Sequence, residues 1–185
     1  MPRQPDPQVE TRILKAAQKL FLKGGEKSLS MRALAKAAHT NTPALYRRFR
    51  SRKQLLGTLV QRTQQDLFAA LEPSVSLEDA FQRILDFALA HPHEWQLINM
   101  GVFSKVNAAR PNFEFIKGRS AEWLGGSSED HTGLVLALWA LVHGVATLLI
   151  SKAIPSPHET RLRSVANEVV EILVGNASTL SAQKC

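Results

Sequence analysis

The sequence predicts an all-α protein in two parts, a small basic N-terminal helical unit followed by a larger, more apolar helical domain. Three observations predict it. Apolar residues recur at spacings of three and four along most of the chain, while the alternation expected of strands is almost absent. Positive charge is gathered at one end: residues 1–56 carry thirteen Lys or Arg against three acids, a net +10, whereas residues 57–185 sum to −3. Hydrophobic residues make up 44% and charged residues 21% of the 185, enough apolar side chains for packed cores and too many for wholesale disorder.

The elements follow in order. Val9, Ile13, Ala16 or Ala17, and Leu20 line one face of a first helix, with Phe21 adjacent. Gly24-Gly25 ends it, because glycine supplies the left-handed residue favoured at a helix C-terminus. Ser30 caps a short helix bearing Met31, Leu34, Ala35 and Ala38. The polar turn His39-Thr40-Asn41 comes next, and a third helix opens at Asn41 to Pro43, with proline tolerated in its first turn. Ser51 caps a fourth helix from Arg52 to Leu71, stopped by Pro73. Further helices are expected from Ser76 to His91, Glu94 to Ala108, Pro111 to Leu124, Glu129 to Ala153 and His158 to Ala177, punctuated by Gly125-Gly126 and Pro155-Ser156-Pro157.

Met31–Ala38 and Thr42–Arg50, joined by about three residues, have the form of a helix-turn-helix. The second helix packs Leu45 and Phe49 inward and points Thr42, Tyr46, Arg47, Arg48 and Arg50 outward. Such a face suits the DNA major groove: small residues (Thr42, Ala44) let the helix end approach base edges, and Tyr46 and the arginines reach phosphates. A basic head on a mildly acidic body agrees with a polyanionic partner for the head alone.

The residues that carry this motif also carry a resemblance. The runs ILKAAQKLFLKGG (13–25), SMRALAKAA (30–38), PALYRRF (43–49) and SRKQLL (51–56) resemble the TetR/AcrR family of bacterial regulators over about residues 8–68. The resemblance implies an N-terminal three-helix helix-turn-helix DNA-binding domain (8–68) and a helical ligand-sensing and dimerisation domain (69–185). At matching positions it implies operator binding through Ser30, Arg32, Asn41, Thr42, Ala44, Tyr46, Arg48 and Arg52, beside which Arg47 and Lys53 add positive charge. The family turn usually reads Ala-Gly-Val-Ser; here Ala38-His39-Thr40-Asn41 stands in its place. Histidine is among the non-glycine residues that tolerate a left-handed conformation, and Asn41 can cap as serine does. His39 is therefore read as a turn residue, not a metal ligand.

Two C-terminal helices are expected to form a dimer interface, because their apolar surface is too broad for one domain to bury. The expected contact residues are Leu138, Val142, Val145 and Leu149 on one helix and Val165, Val169 and Ile172 on the other. The run LWALVHG (138–144) resembles the Trp…His-Gly type of TetR C-terminal domain. A mostly apolar ligand cavity is expected among Trp95, Asn99, Phe103, Phe113, Phe115, Trp123, Trp139 and His143, with Asn107 near in sequence. A solid core with satisfied Trp139 and His143 is the bland alternative. No acids cluster near these aromatics, so a small apolar molecule, neutral or weakly anionic, is the expected ligand.

Other classes fare worse. Pro92 separates His91 from His93 and Glu94, which prevents a helical ligand pair, and no phosphate loop, nucleophile elbow or thiol–histidine pair occurs. No enzyme, metal or cofactor is expected. An architectural DNA binder would leave the large non-basic half without a task. The single cysteine, Cys185, excludes an internal disulfide. The first ten residues lack an apolar signal segment and read as a short disordered arm, and the apolar stretch 134–154 reads as a buried helix, so a cytoplasmic protein without a membrane span is expected.

Overall fold

A computed structural model describes residues 7–99 and 111–178; residues 1–6 of the expected N-terminal arm and the candidates Phe103 and Asn107 lie outside them, while residues 7–10 of that arm are instead the start of a helix. The described residues form nine α-helices and no strand. They are α1 (Pro7–Gly24), α2 (Met31–Ala37), α3 (Thr42–Arg48), α4 (Arg52–Leu71), α5 (Leu77–Ala90), α6 (Pro92–Asn99), α7 (Pro111–Leu124), α8 (Thr132–Ile150) and α9 (Ser156–Gly175). The described residues divide into two compact units, 7–63 with 93–99, and 64–92 with 111–178. α4 begins in the first unit and ends in the second.

Local chemistry sets the helix ends of the first unit. Gly25 has φ +59°, a conformation glycine adopts without the clash a Cβ brings. Ser30 Oγ accepts from the Ala33 N–H at 3.1 Å, Asn41 Oδ1 from Ala44 at 2.8 Å and Ser51 Oγ from Gln54 at 3.1 Å, each satisfying an amide that the first turn would otherwise orphan. The core beneath gathers Ile13, Ala17 and Phe21 of α1, Leu34 of α2, Leu45 of α3, and Leu55 and Leu59 of α4. Leu97 of α6 packs there too. Leu34 and Leu45 are fully buried, so truncating either to alanine costs about 2–5 kcal/mol.

The second unit packs α5, α8 and α9 against one another, with α7 on α8. Leu77, Phe81 and Leu85 of α5 meet a core that includes Leu134, Leu138, Val142 and Val145 of α8 and Ala166 and Val170 of α9. By length and composition alone the segment Ser128–Ile150 could cross a membrane; seven side chains of α8 are instead buried in the unit.

One expected helix is shorter at both ends. The span expected from Glu129 begins as a 3-10 turn, Ser128–His131, because the Asp130 carboxylate accepts from the Ser127 N–H and hydroxyl at 3.0 and 2.8 Å. α8 proper starts at Thr132 and stops at Ile150, where Lys152 takes φ +54°. α6 is described only as far as Asn99.

Candidate nucleic-acid interface

α2 and α3 meet across the turn 39–41. His39 has φ +50°, the left-handed conformation expected of it, and its exposed ring does not enter the core. Its N–H donates to Lys36 O at 3.3 Å and the Thr40 N–H to Ala35 O at 2.9 Å, closing α2. Leu45 and Phe49 then anchor α3 inward, 0% and 3% exposed. The opposite face of α3 presents Tyr46, 49% exposed, together with exposed Arg47 and part-exposed Thr42, Ala44 and Arg48.

The flanking positive charge comes from several elements. Arg32 and Lys53 are exposed on α2 and α4. Lys27, Leu29, Ser30 and Arg52 line one open concavity of about 440 Å³. Lys27 was not among the expected site residues; it follows the Gly25 turn, whose path no periodicity reveals. Arg50 fixes the α3–α4 link through its main chain, its N–H donating to Gln54 Oε1 at 2.7 Å. One acid intrudes: Glu10 of α1 lies 3.6 Å from Arg48 Nη1. The arrangement offers one exposed helix with base-reading size at its start and cations around it, the layout of major-groove readout with phosphate anchoring.

The aromatic candidates do not form one group. Phe113 of α7 lies 5.9 Å from Trp139 of α8, and Trp139 stands edge-on to His143 at 5.1 Å. His143 Nδ1 donates to Trp139 O at 2.8 Å. Burial pushes the His143 pKa below its usual value, the hydrogen bond opposing more weakly. Trp95, buried, and Asn99, whose amide donates to Trp95 O at 2.8 Å, fall in the first unit. Trp123 carries the Arg119 guanidinium 4.8 Å above its ring, and Phe115 pairs with Phe68 of α4 at 4.8 Å.

The expected interface residues also divide. Leu138, Val142, Val145 and Leu149 of α8 are each at most 8% exposed inside their own protomer. That helix exposes Leu136, Ala140, Gly144 and Leu148 instead, a stripe at i, i+4 spacing. On α9, Val165 and Ile172 are exposed and Val169 half-buried.

Comparisons with known proteins agree with this layout. Residues 13–59 match the family model described as bacterial regulatory proteins, tetR family, and residues 77–173 match the tetracyclin repressor-like C-terminal domain. No curated protein matches the chain. Among solved structures, a TetR-like transcriptional regulator from Rhodococcus sp. RHA1 is 21% identical, with a TM-score of 0.66 over 96% of this chain and 99% of that one. A TetR variant from Acinetobacter baumannii AYE, in complex with minocycline, is 18% identical with a TM-score of 0.69 over 97% and 100%. A TetR-family regulator from Streptomyces coelicolor is 19% identical with a TM-score of 0.63 over 91% and 99%. With its exposed recognition helix and a C-terminal match spanning more than half its length, the chain belongs to the TetR family of bacterial regulatory proteins, DNA-binding regulators of transcription.

Proposed function

We propose that the protein is a ligand-released cytoplasmic repressor that binds an inverted-repeat operator as a homodimer. The observation that carries the reading is the exposed face of α3, which presents Thr42, Tyr46, Arg47 and Arg48, in a unit where Lys27, Ser30 and Arg52 also line an open concavity. Thr42 and Ala44 are the residues assigned to base edges. Ser30, Arg32, Asn41, Tyr46, Arg47, Arg48, Arg52 and Lys53 are assigned to phosphates and to orientation of the helix. Two such helices related by a two-fold axis read half-sites about 34–36 Å apart or a larger spacing.

Support for the dimer is the apolar surface that a protomer leaves open: Leu136, Ala140, Gly144 and Leu148 on α8, with Val165, Val169 and Ile172 on α9. A Cβ built on Gly144 meets nothing within 4 Å, so a partner helix has room to approach closely there. Support for a ligand is the Phe113–Trp139–His143 group, an aromatic surface with a neutral imidazole, which suits an apolar, neutral or weakly anionic molecule. The structural neighbour from Acinetobacter holds minocycline. A ligand that favours the DNA-free form releases the operator by its differential affinity and no more. The test is selection from random duplexes followed by footprinting: an enriched inverted repeat supports the reading, and enrichment of no sequence overturns it.

A further inference from the structure

We propose that Arg12, Lys15, Lys19 and Lys23 form a second phosphate track, along the outer face of α1, that binds the backbone of the DNA flanking the operator. The inference rests on the operator-binding reading above and extends it to base pairs that α3 does not reach. The four positions are spaced i, i+3, i+7 and i+11, which puts them on one side of α1. All four are exposed, while Ala17 and Phe21, on the opposite side, are buried. The one acid of this helix, Glu10, lies 3.6 Å from Arg48 of α3 and so marks the side of α1 turned to the recognition helix. At about 100° per residue, the four cations stand about 140–180° from Glu10 around the axis. They face away from the surface of α3, so what they bind is not the groove that α3 reads.

Charge and continuity name the occupant. Thr11 and Gln18, beside the four cations, are uncharged, so the face carries one sign over a length of about 16 Å. Among the described residues no acid pairs with Lys15, Lys19 or Lys23. Like charges at i, i+4 disfavour a helix, and a face that met only water would gain from mixed signs. A polyanion removes that repulsion, and one DNA strand offers a phosphate about every 3.4 Å of axis, about five over this length. The track also leads to the operator face. Ser28 Oγ donates to the Leu20 carbonyl, which folds the 3-10 turn Gly25–Ser28 back onto the end of α1. Lys27, in that turn, lines the concavity with Ser30 and Arg52. From there Lys23, Lys19, Lys15 and Arg12 lead away along α1. A duplex that leaves the half-site bent toward the protein meets them in that order. Three of the four are lysines, point charges without a fork for base edges, so the contact is to phosphates and carries no sequence preference.

The test uses the full-length protein and the duplex that the wild type selects from a random pool, trimmed to the inverted repeat or extended on each side by about one helical turn. Lys15→Gln, Lys19→Gln and Lys23→Gln are combined in one variant; the positions are exposed, so the fold is kept. The wild type is expected to bind the extended duplex roughly tenfold or more tighter than the trimmed one at low salt. Its slope of log K against log salt should be steeper there by about 0.9 for each phosphate engaged. The triple variant should lose this gain, together with hydroxyl-radical protection of the flanking sugars, while binding the trimmed duplex within about twofold of wild type. A charge-matched control, Lys152→Gln with Arg161→Gln and Arg163→Gln on exposed residues of the second unit, should keep the gain. A gain that survives in the triple variant, or is missing from the wild type, would overturn the proposal. So would an equal loss on both duplexes, which places the lysines on the operator itself, or capture of a second, unlinked duplex in place of the flank. If the wild type selects no duplex, the operator reading fails by itself. The salt slopes of wild type and triple variant on long unselected DNA then decide whether this face binds a DNA backbone.

Discussion

Arg48 of the recognition helix lies 3.6 Å from Glu10 of α1, through Nη1 and the carboxylate, with both side chains partly exposed. In DNA-bound protein a phosphate and Glu10 would draw on the same guanidinium. Exposed ion pairs contribute about 0–1 kcal/mol, so the acid is a weak competitor. Glu10→Gln should raise DNA affinity by up to about fivefold at low salt, and the gain should shrink as salt screens the pair. Arg48→Ala should weaken binding to all sequences and lower the slope of log K against log salt by about one. Filter binding over a salt series checks both, and an unchanged slope in Arg48→Ala removes this arginine from the phosphate contacts.

Thr42 should behave differently. It stands at the start of α3, where side chains reach base edges, so Thr42→Ala should relax preference at one base pair by about 1–3 kcal/mol with little change in salt slope. Repeating the duplex selection with the variant shows which position loses information. Loss spread evenly over the site would place Thr42 on the backbone.

His39 tests the turn without touching the interface. A left-handed φ is tolerated by histidine, disfavoured for β-branched residues and natural for glycine. His39→Gly should be neutral or stabilising by less than about 1 kcal/mol, whereas His39→Val should cost roughly 1–2 kcal/mol. Urea unfolding measures the difference. Equal stability of the two variants would mean that the turn relaxes to another conformation.

These features were legible in the sequence because they are local. Ser30, Asn41 and Ser51 each bond an amide three residues away, and Gly25 and His39 occupy turns whose φ their residue types allow. What was not legible is phase and distance. α8 is apolar on nearly every side, so its spacing could not tell Leu138 and Val142, which face inward, from Leu136 and Leu148, which do not. Glu10 and Arg48, or Gln64 and Asn112, are neighbours only because the chain folds back, and no local pattern records that. The Asp130 box at Ser127 that delays α8 is short and polar, and the long apolar run beyond it masks where the helix begins.

The open faces of α8 and α9 predict how the protein assembles. Ile172 is 63% exposed, so Ile172→Asp should change protomer stability by no more than about 0.5 kcal/mol, as surface substitutions do. If that face joins two protomers, the same change buries a charge and yields monomers that bind the selected duplex poorly. Sedimentation equilibrium reads the assembly state. A dimer that survives Ile172→Asp, alone and combined with Leu136→Asp, would move the interface elsewhere.

His143 predicts a pH dependence whose sign is fixed by its surroundings. Nδ1 donates to the Trp139 carbonyl at 2.8 Å, and a carbonyl can only accept, so in the neutral ring the proton sits on Nδ1. Burial disfavours the charged ring most strongly, the carbonyl bond favours it less, and the pKa falls below the ordinary 6.5. In the unfolded chain the same ring takes up its proton near 6.5. Between that value and the lower folded pKa the unfolded state therefore holds more protons than the folded one. Stability must fall as pH drops below about 6.5, and the loss levels off only once the folded ring is also charged. For one proton the slope cannot exceed about 1.4 kcal/mol per pH unit, and for a ring only part-buried it should be well under that. His143→Gln removes the titration, so the wild-type-minus-variant stability, from urea unfolding between pH 8 and pH 5, should decline with acidity from about 6.5 downward. A difference that stays flat would mean that folding does not lower the pKa of the ring, and one that grows as pH falls would mean that Trp139 O serves an imidazolium instead.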